Sequence, residues 1–137
     1  MSTEEEKLIE TAMNQLAFSY APYSDFKVGA AIETMDGEIY GGCNIENAAF
    51  GPGNCAERTA IFKAVSEGKR HFKRIAIVGG KAGCVRDYCP PCGVCRQVMR
   101  EFCSPNFQII LAKNSKDYKV MTLNELFPES FGPDQLA

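Results

Sequence analysis

Two short stretches, Cys55-Ala56-Glu57 and Pro91-Cys92-Gly93-Val94-Cys95, decide how this 137-residue chain folds and what it does. A structural zinc site is closed by four protein ligands, whereas a catalytic site uses three and keeps a position for water. Cys55, Cys92 and Cys95 supply three thiols, and Glu57 is a candidate for the base that moves the proton of that water. The two stretches therefore predict a catalytic zinc centre with an acid beside it.

Each stretch falls where a loop leads into a predicted helix. A helix N-terminus favours the thiolate form of cysteine, which is the form that binds metal. Cys92 and Cys95 are three residues apart, so both lie on one helical face. Three thiolates on one dication leave a net negative centre, and we expect Arg58 and Arg96 to offset this charge by donating to sulfur.

Hydrophobic periodicity outside the two stretches predicts strands interleaved with helices. The predicted elements are a helix that opens at a Thr3–Glu6 capping box and ends at Tyr20-Ala21-Pro22, strands at 28–32 and 38–43 joined by an Asp36-Gly37 turn, a helix at 56–65, a strand at 75–78, a helix at 92–102, strands at 108–112 and 119–121, a short helix at 123–126, and an irregular tail at 127–137. This order predicts the α/β class, with a mixed five-stranded sheet between helices in a three-layer α/β/α arrangement.

Composition narrows the class of protein. A chain of 137 residues with 45% hydrophobic content fits a single domain over residues 1–137. The formal net charge of −2 argues against a nucleic-acid groove, and no apolar stretch is long enough to span a membrane. Seven cysteines, without a signal-peptide pattern, predict reduced thiols and a cytoplasmic location.

The cysteines allow other interpretations. Cys92 and Cys95 alone would fit a redox pair, but that hypothesis gives no role to Cys55 and Glu57. Cys89 precedes Cys92 with the same spacing and is an alternative fourth ligand, although two intervening prolines make that geometry stiff. Cys43, Cys84 and Cys103 are expected to be small buried hydrophobic residues.

Longer segments resemble the short, single-domain cytidine deaminases of the cytidine and deoxycytidylate deaminase family. The resemblance extends over nearly the whole chain. The matching segments are YAPYSDFKVGAA at 20–31, GCNIENA at 42–48, CAERTA at 55–60, PCGVCRQ at 91–97 and SFGP at 130–133. C-x-E followed by P-C-x-x-C is also the all-cysteine form of the zinc nucleobase deaminase signature.

The resemblance implies the deaminase fold and a chemistry. One Zn²⁺ per chain would be bound by Cys55, Cys92 and Cys95, and Glu57 would shuttle protons. The implied reaction is hydrolysis of cytidine and 2′-deoxycytidine to uridine and 2′-deoxyuridine with release of ammonia, in pyrimidine salvage.

The resemblance also implies how a nucleoside would be held. Asn44 and Glu46 would hydrogen-bond the ribose 3′-hydroxyl, Phe26 would pack against the base, and backbone groups near Ala56 and Pro90 would orient it. Short members of the family are homotetramers with shared pockets, so the Phe50 loop and Phe131 would reach a neighbouring subunit's site.

Three other functions stay open at this stage. One is deamination of another cytosine-bearing small molecule, such as blasticidin S, and the ribose contacts argue against it without excluding it. Another is editing of nucleic acid, which the acidic balance disfavours. The third is a zinc-stabilised binding module, which would need four protein ligands and would leave Glu57 idle.

Overall fold

The first helix covers one face of the sheet. In the computed structural model, which describes residues 2–137, α1 runs over Glu4–Gln15 and is followed by a 3-10 turn at Leu16–Phe18. Its start is fixed by the predicted capping box, in which Thr3 and Glu6 exchange hydrogen bonds of 3.1 Å between side chain and backbone. Leu8, Ile9 and Ala12 are buried against the strands.

The strands form one mixed sheet in the order β2-β1-β3-β4-β5. Their bounds are β1 (Phe26–Thr34), β2 (Ile39–Cys43), β3 (Phe72–Lys81), β4 (Gln108–Ala112) and β5 (Tyr118–Thr122). β3 and β4 are parallel, and the other neighbouring pairs are antiparallel. The prediction of a mixed five-stranded sheet is confirmed.

Two helices cover the opposite face and complete three layers. α2 runs over Ala56–Ser66 and α3 over Gly93–Phe102, while the short α4 (Leu123–Leu126) follows β5. Alternation along β3 divides its side chains: Ile75 and Ile77 belong to the cluster that includes α2 and α3, whereas Ala76 and Val78 pack with α1. The α/β class and the helix-covered sheet are confirmed.

Gly68 ends α2. It adopts φ +93, and the amide of Lys69 just beyond it donates to the carbonyl of Ala64. A left-handed residue after the last helical turn is the usual glycine stop, because glycine adopts this conformation without a Cβ penalty.

Three details differ from the sequence prediction. β3 is longer than 75–78, because it pairs with β1 from Phe26↔Lys81 to Thr34↔Phe72. Cys84 is exposed rather than buried, since it lies on the loop after β3, whereas Cys43 and Cys103 are buried as expected. The tail contains a 3-10 turn at Pro133–Leu136. No helix within residues 2–137 has the length and apolar character needed to cross a membrane.

Candidate active site

Three thiols meet where α2 and α3 begin. Cys55 is the N-cap of α2, Cys92 is the N-cap of α3, and Cys95 lies in the first turn of α3. Their sulfur atoms all lie within 4.8 Å of one another, and Cys55 Sγ is 3.7 Å from Cys92 Sγ. Two sulfurs bound tetrahedrally to one zinc ion at about 2.3 Å stand about 3.8 Å apart. The donor set therefore fits zinc, with three protein ligands.

Cys89 is not part of this thiol cluster among the described residues. It lines the adjoining cavity instead, and burial raises the pKa of its thiol to about 11. The interpretation of Cys89 as a fourth ligand finds no support in this arrangement. A three-ligand set is the kind that catalytic zinc sites use.

The cluster favours a thiolate at Cys55. A hydrogen bond shared with the Cys95 thiol, followed by the Arg58 guanidinium, lowers the pKa of Cys55 to about 5. The same shared hydrogen bond and burial raise the pKa of Cys95 well above its usual range. Arg58 Nη2 donates to Cys55 Sγ at 3.3 Å, as the sequence predicts. The positive guanidinium thus offsets part of the negative charge of the sulfurs.

The prediction that Arg96 donates to sulfur is wrong. Its Nε donates to the carbonyl oxygen of Pro91 at 2.8 Å, and its Nη1 donates to the carbonyl oxygen of Leu126. These two backbone carbonyls take the guanidinium donors in place of a sulfur. Arg96 therefore holds the residue before Cys92 in place, and among the described residues it donates no hydrogen bond to a thiol.

Glu57 is buried beside the thiols. Its residue is only 4% exposed, and this burial, which penalises the carboxylate, raises its pKa to about 7. A carboxyl group with a pKa near neutrality can both accept and return a proton, which is the requirement for a general acid–base group.

A cavity of about 550 Å³ opens onto Glu57. This volume lies in the range of small-molecule sites. Its lining includes two of the three predicted thiol ligands, the acid, the predicted ribose contacts and the residue expected to orient the base: Cys55, Cys92, Glu57, Asn44, Glu46 and Ala56. The structure therefore brings these sequence-predicted residues to one cavity, and Pro90 lines it as well.

Asn44 and Glu46 are held by the start of β1 and by the segment that precedes it. Asn44 Oδ1 accepts from the amide of Val28 at 2.9 Å and from the hydroxyl of Ser19, and its Nδ2 donates to the carbonyl of Phe26 at 2.7 Å. Glu46 accepts from the hydroxyl of Ser24, and this contact lowers the pKa of the Glu46 carboxyl. Both polar side chains thus enter the cavity in fixed orientations.

Sequence reasoning missed the residues that hold this pair. Glu46 Oε1 accepts from the backbone amides of Tyr23 at 2.9 Å and Ser24 at 3.2 Å. The composition of residues 22–25 predicts a turn, but it does not indicate which side chain the amides of that turn would bind. The target depends on tertiary packing of residues 20–26 against residues 44–46, where Tyr20 and Ile45 form a parallel bridge.

The three predicted aromatic contacts lie in different places. Phe50 lines the mouth of the cavity and is 94% exposed. Phe26 lines a neighbouring depression instead, because its ring packs where Gly79 leaves room by having no Cβ. Phe131 is 57% exposed and outside the cavity lining, and its carbonyl accepts from Gln97 Nε2 at 2.8 Å. Of these three side chains, only Phe50 lines the cavity.

Comparison with known proteins gives a consistent result. The family model of the cytidine and deoxycytidylate deaminase zinc-binding region matches residues 2–111. A cytidine deaminase of Sporosarcina psychrophila is 46% identical over 132 residues, which cover 96% of this chain and 94% of that protein. A cytidine deaminase of Halalkalibacterium halodurans is 43% identical over 133 residues, covering 97% and 98%.

A solved structure agrees in fold. The crystal structure of cytidine deaminase from Burkholderia pseudomallei superposes with a TM-score of 0.84 at 45% sequence identity, covering 94% of this chain and 99% of that one. The family match includes the three clustered thiols and Glu57, whereas Phe131 lies beyond its end.

Proposed function

Because this chain belongs to the cytidine and deoxycytidylate deaminase family, we propose that it hydrolyses cytidine and 2′-deoxycytidine to uridine and 2′-deoxyuridine, releasing ammonia. The observation that carries the proposal is the buried Glu57 beside a three-thiol cluster at a nucleoside-sized cavity. A binding module would use four ligands and would not need a buried acid with a raised pKa.

The metal in this proposal is one zinc ion per chain, held by Cys55, Cys92 and Cys95. When bound, zinc supplies a nucleophile at neutral pH by lowering the pKa of water. Arg58 supports the ligand set by donating to Cys55 Sγ. Arg96 supports it indirectly, by fixing the carbonyl of Pro91.

Glu57 carries the protons. It takes one proton from the attacking water and delivers it to N3 of the cytosine ring, which makes C4 more electrophilic. It then moves the proton of the new C4 hydroxyl to the amino group. The C4–N bond breaks, ammonia leaves and the uracil ring remains, so one water is consumed for each ammonia released.

The polar pair selects the sugar. Asn44 and Glu46 bind the ribose 3′-hydroxyl, while backbone groups at Ala56 and Pro90 orient the base. A site built to hydrogen-bond a hydroxyl rejects analogues without it, because its own polar groups are then left unpaired. This arrangement favours nucleosides over free bases.

The assembly and setting are part of the proposal. The chain acts as one domain over residues 1–137 within a homotetramer, in which Phe50 and Phe131 contact neighbouring sites. Both rings are largely exposed in the single chain, which is costly for aromatic side chains unless a partner covers them. The seven free thiols suit the reducing cytoplasm, where the reaction serves pyrimidine salvage.

The test is ultraviolet absorbance of cytidine incubated with zinc-quantified protein, with ammonia measured in parallel. We expect loss of the cytosine band with equimolar ammonia. Glu57→Gln should keep its zinc while turnover falls by about three orders of magnitude or more, in line with the upper range for general acid–base catalysis and with the burial of this site. Zinc-loaded protein that leaves cytidine unchanged, or a Glu57→Gln variant with near-normal turnover, would overturn the proposal.

A further inference from the structure

We propose that Ser24 is a positioning residue for Glu46, and that its hydroxyl sets how strongly the enzyme prefers nucleosides with a ribose 3′-hydroxyl over nucleosides that lack one. The inference rests on the proposed function, since it takes Glu46 as the acceptor for that hydroxyl. It assigns a role in selectivity to a cavity-lining side chain that takes no part in the proposed proton transfers.

The carboxylate of Glu46 is held by three donors from one turn. Two are the backbone amides of Tyr23 and Ser24, at 2.9 and 3.2 Å from Oε1, and the third is the Ser24 hydroxyl on Oε2. The backbone amides engage one oxygen, and within residues 2–137 only the Ser24 hydroxyl donates to the other. Rotation of the carboxylate is therefore blocked by the side chain of Ser24.

The proton of Ser24 is committed to Glu46. Ser24 Oγ accepts from the amide of Phe26 at 3.0 Å, so its own hydrogen points at the carboxylate. A hydrogen bond donated to an ionised group is about twice as strong as a neutral one. Ser24 thus connects the start of β1 to the acid that faces the sugar.

The neighbouring Asn44 completes a matched pair. Its Oδ1 accepts twice, from Val28 and Ser19, and its Nδ2 donates once to Phe26, which leaves one N–H free for a ligand. Glu46 offers only acceptor sites. One donor beside one acceptor is the complement of a hydroxyl, which both accepts and donates.

The turn keeps its shape without the Ser24 hydroxyl. Lys81 Nζ donates to the carbonyl of Ser24 at 2.9 Å, and the amide of Ala82 donates to the carbonyl of Asp25 at 2.6 Å. Asp25 sits at φ +57 and its amide donates to Ala21. Ser24→Ala therefore removes the contact with Oε2 and the acceptor of the Phe26 amide, while these backbone contacts still hold the turn and its two amide donors.

The experiment compares kcat/KM for cytidine and for 3′-deoxycytidine in wild type, Ser24→Ala and Ser24→Thr, each with measured zinc content. Ser24→Ala should lower the cytidine to 3′-deoxycytidine ratio about five- to ten-fold, which is less than the full loss of a hydrogen bond to a charged group predicts, because the two amide donors still hold Glu46. The change should come mainly from KM for cytidine. Ser24→Thr keeps the hydroxyl and should restore the ratio.

Ser66→Ala is the matched control, because Ser66 also donates through its hydroxyl but to Lys63 at the far end of α2. It should leave the ratio unchanged. A general loss of folding would lower kcat/KM for both nucleosides and leave their ratio unchanged, so it cannot imitate the expected result. A cytidine to 3′-deoxycytidine ratio for Ser24→Ala equal to or above that of wild type overturns the inference. Wild-type protein that deaminates cytidine but does not prefer it over 3′-deoxycytidine also overturns it, whereas wild type inactive on cytidine overturns the proposed function itself.

Discussion

Gly42 controls how closely α2 approaches the sheet. It lies in β2, and a Cβ placed there would stand 2.5 Å from the amide nitrogen of Ala60 and 2.6 Å from the carbonyl oxygen of Ala56. Ordinary van der Waals contact begins at 3.4 Å, so α2 would have to move away by about 0.9 Å. These are backbone atoms of the helix that carries Glu57, and they cannot turn aside as a side chain does.

Gly42→Ala should therefore displace Glu57, the proposed general base, from its working position. A misplacement of about 1 Å costs roughly 10²-fold in rate, so we expect kcat/KM for cytidine to fall by about that factor. Overpacking of this kind also costs about 1–3 kcal/mol of stability, which should lower Tm by several degrees. Zinc content should fall as well, because Cys55 moves with α2 relative to Cys92.

Gly93→Ala is the control, because Gly93 lies between the clustered thiols of Cys92 and Cys95 but a Cβ there meets nothing within 4 Å. It should keep wild-type activity and zinc. The assay is steady-state kinetics with zinc quantification and thermal unfolding for both variants. A Gly42→Ala protein within about threefold of wild type in kcat/KM would refute the reasoning.

Two further outcomes are expected. Arg58→Ala should weaken zinc binding by about 10- to 100-fold in competition with a chromophoric chelator, because it removes a hydrogen bond to a ligand sulfur. Arg70→Ala is the control and should match wild type, since the Arg70 guanidinium donates to backbone carbonyls. Equal zinc affinity for both variants would contradict this prediction. The contact with Lys116, together with the hydrogen bonds from Thr3, lowers the pKa of Glu6 from 4.5 to about 2, so the stabilisation is present above pH 4.5 and is lost as pH falls toward about 2. The Tm difference between wild type and Glu6→Gln should narrow over that acidic range, and a constant difference would disprove the coupling.

The residues that local patterns specify were predictable. Capping, alternation and turn composition place α1, β1, β2, β4 and the two motif helices within a few residues. β3 was underestimated because Lys73, Arg74 and the two glycines at 79–80 are unusual in a buried strand. Pairing with β1 along its whole length overrides those local preferences. Glycine is needed at position 80, because a Cβ there would stand 2.0 Å from the carbonyl oxygen of Cys84.

The candidate site was predictable as a set of residues but not as a set of contacts. Motif spacing identifies the thiols and Glu57, since the chemistry fixes which residue types occur there. The direction of Arg96 depends on the carbonyl of Leu126, and the position of the Phe26 ring depends on Gly79, both far away in sequence. The support of Glu46 by Ser24 likewise depends on a loop contact between residues 22 apart, which no local pattern reveals.

The donors that orient Glu46 precede β1, whereas the thiols and Glu57 stand at the starts of α2 and α3. In the proposed function, sugar recognition and bond breaking are therefore encoded in separate parts of the chain. Mutational libraries confined to residues 19–26 can explore new nucleoside analogues while the reacting groups stay intact. This division makes the scaffold a practical starting point for altering substrate range by laboratory evolution.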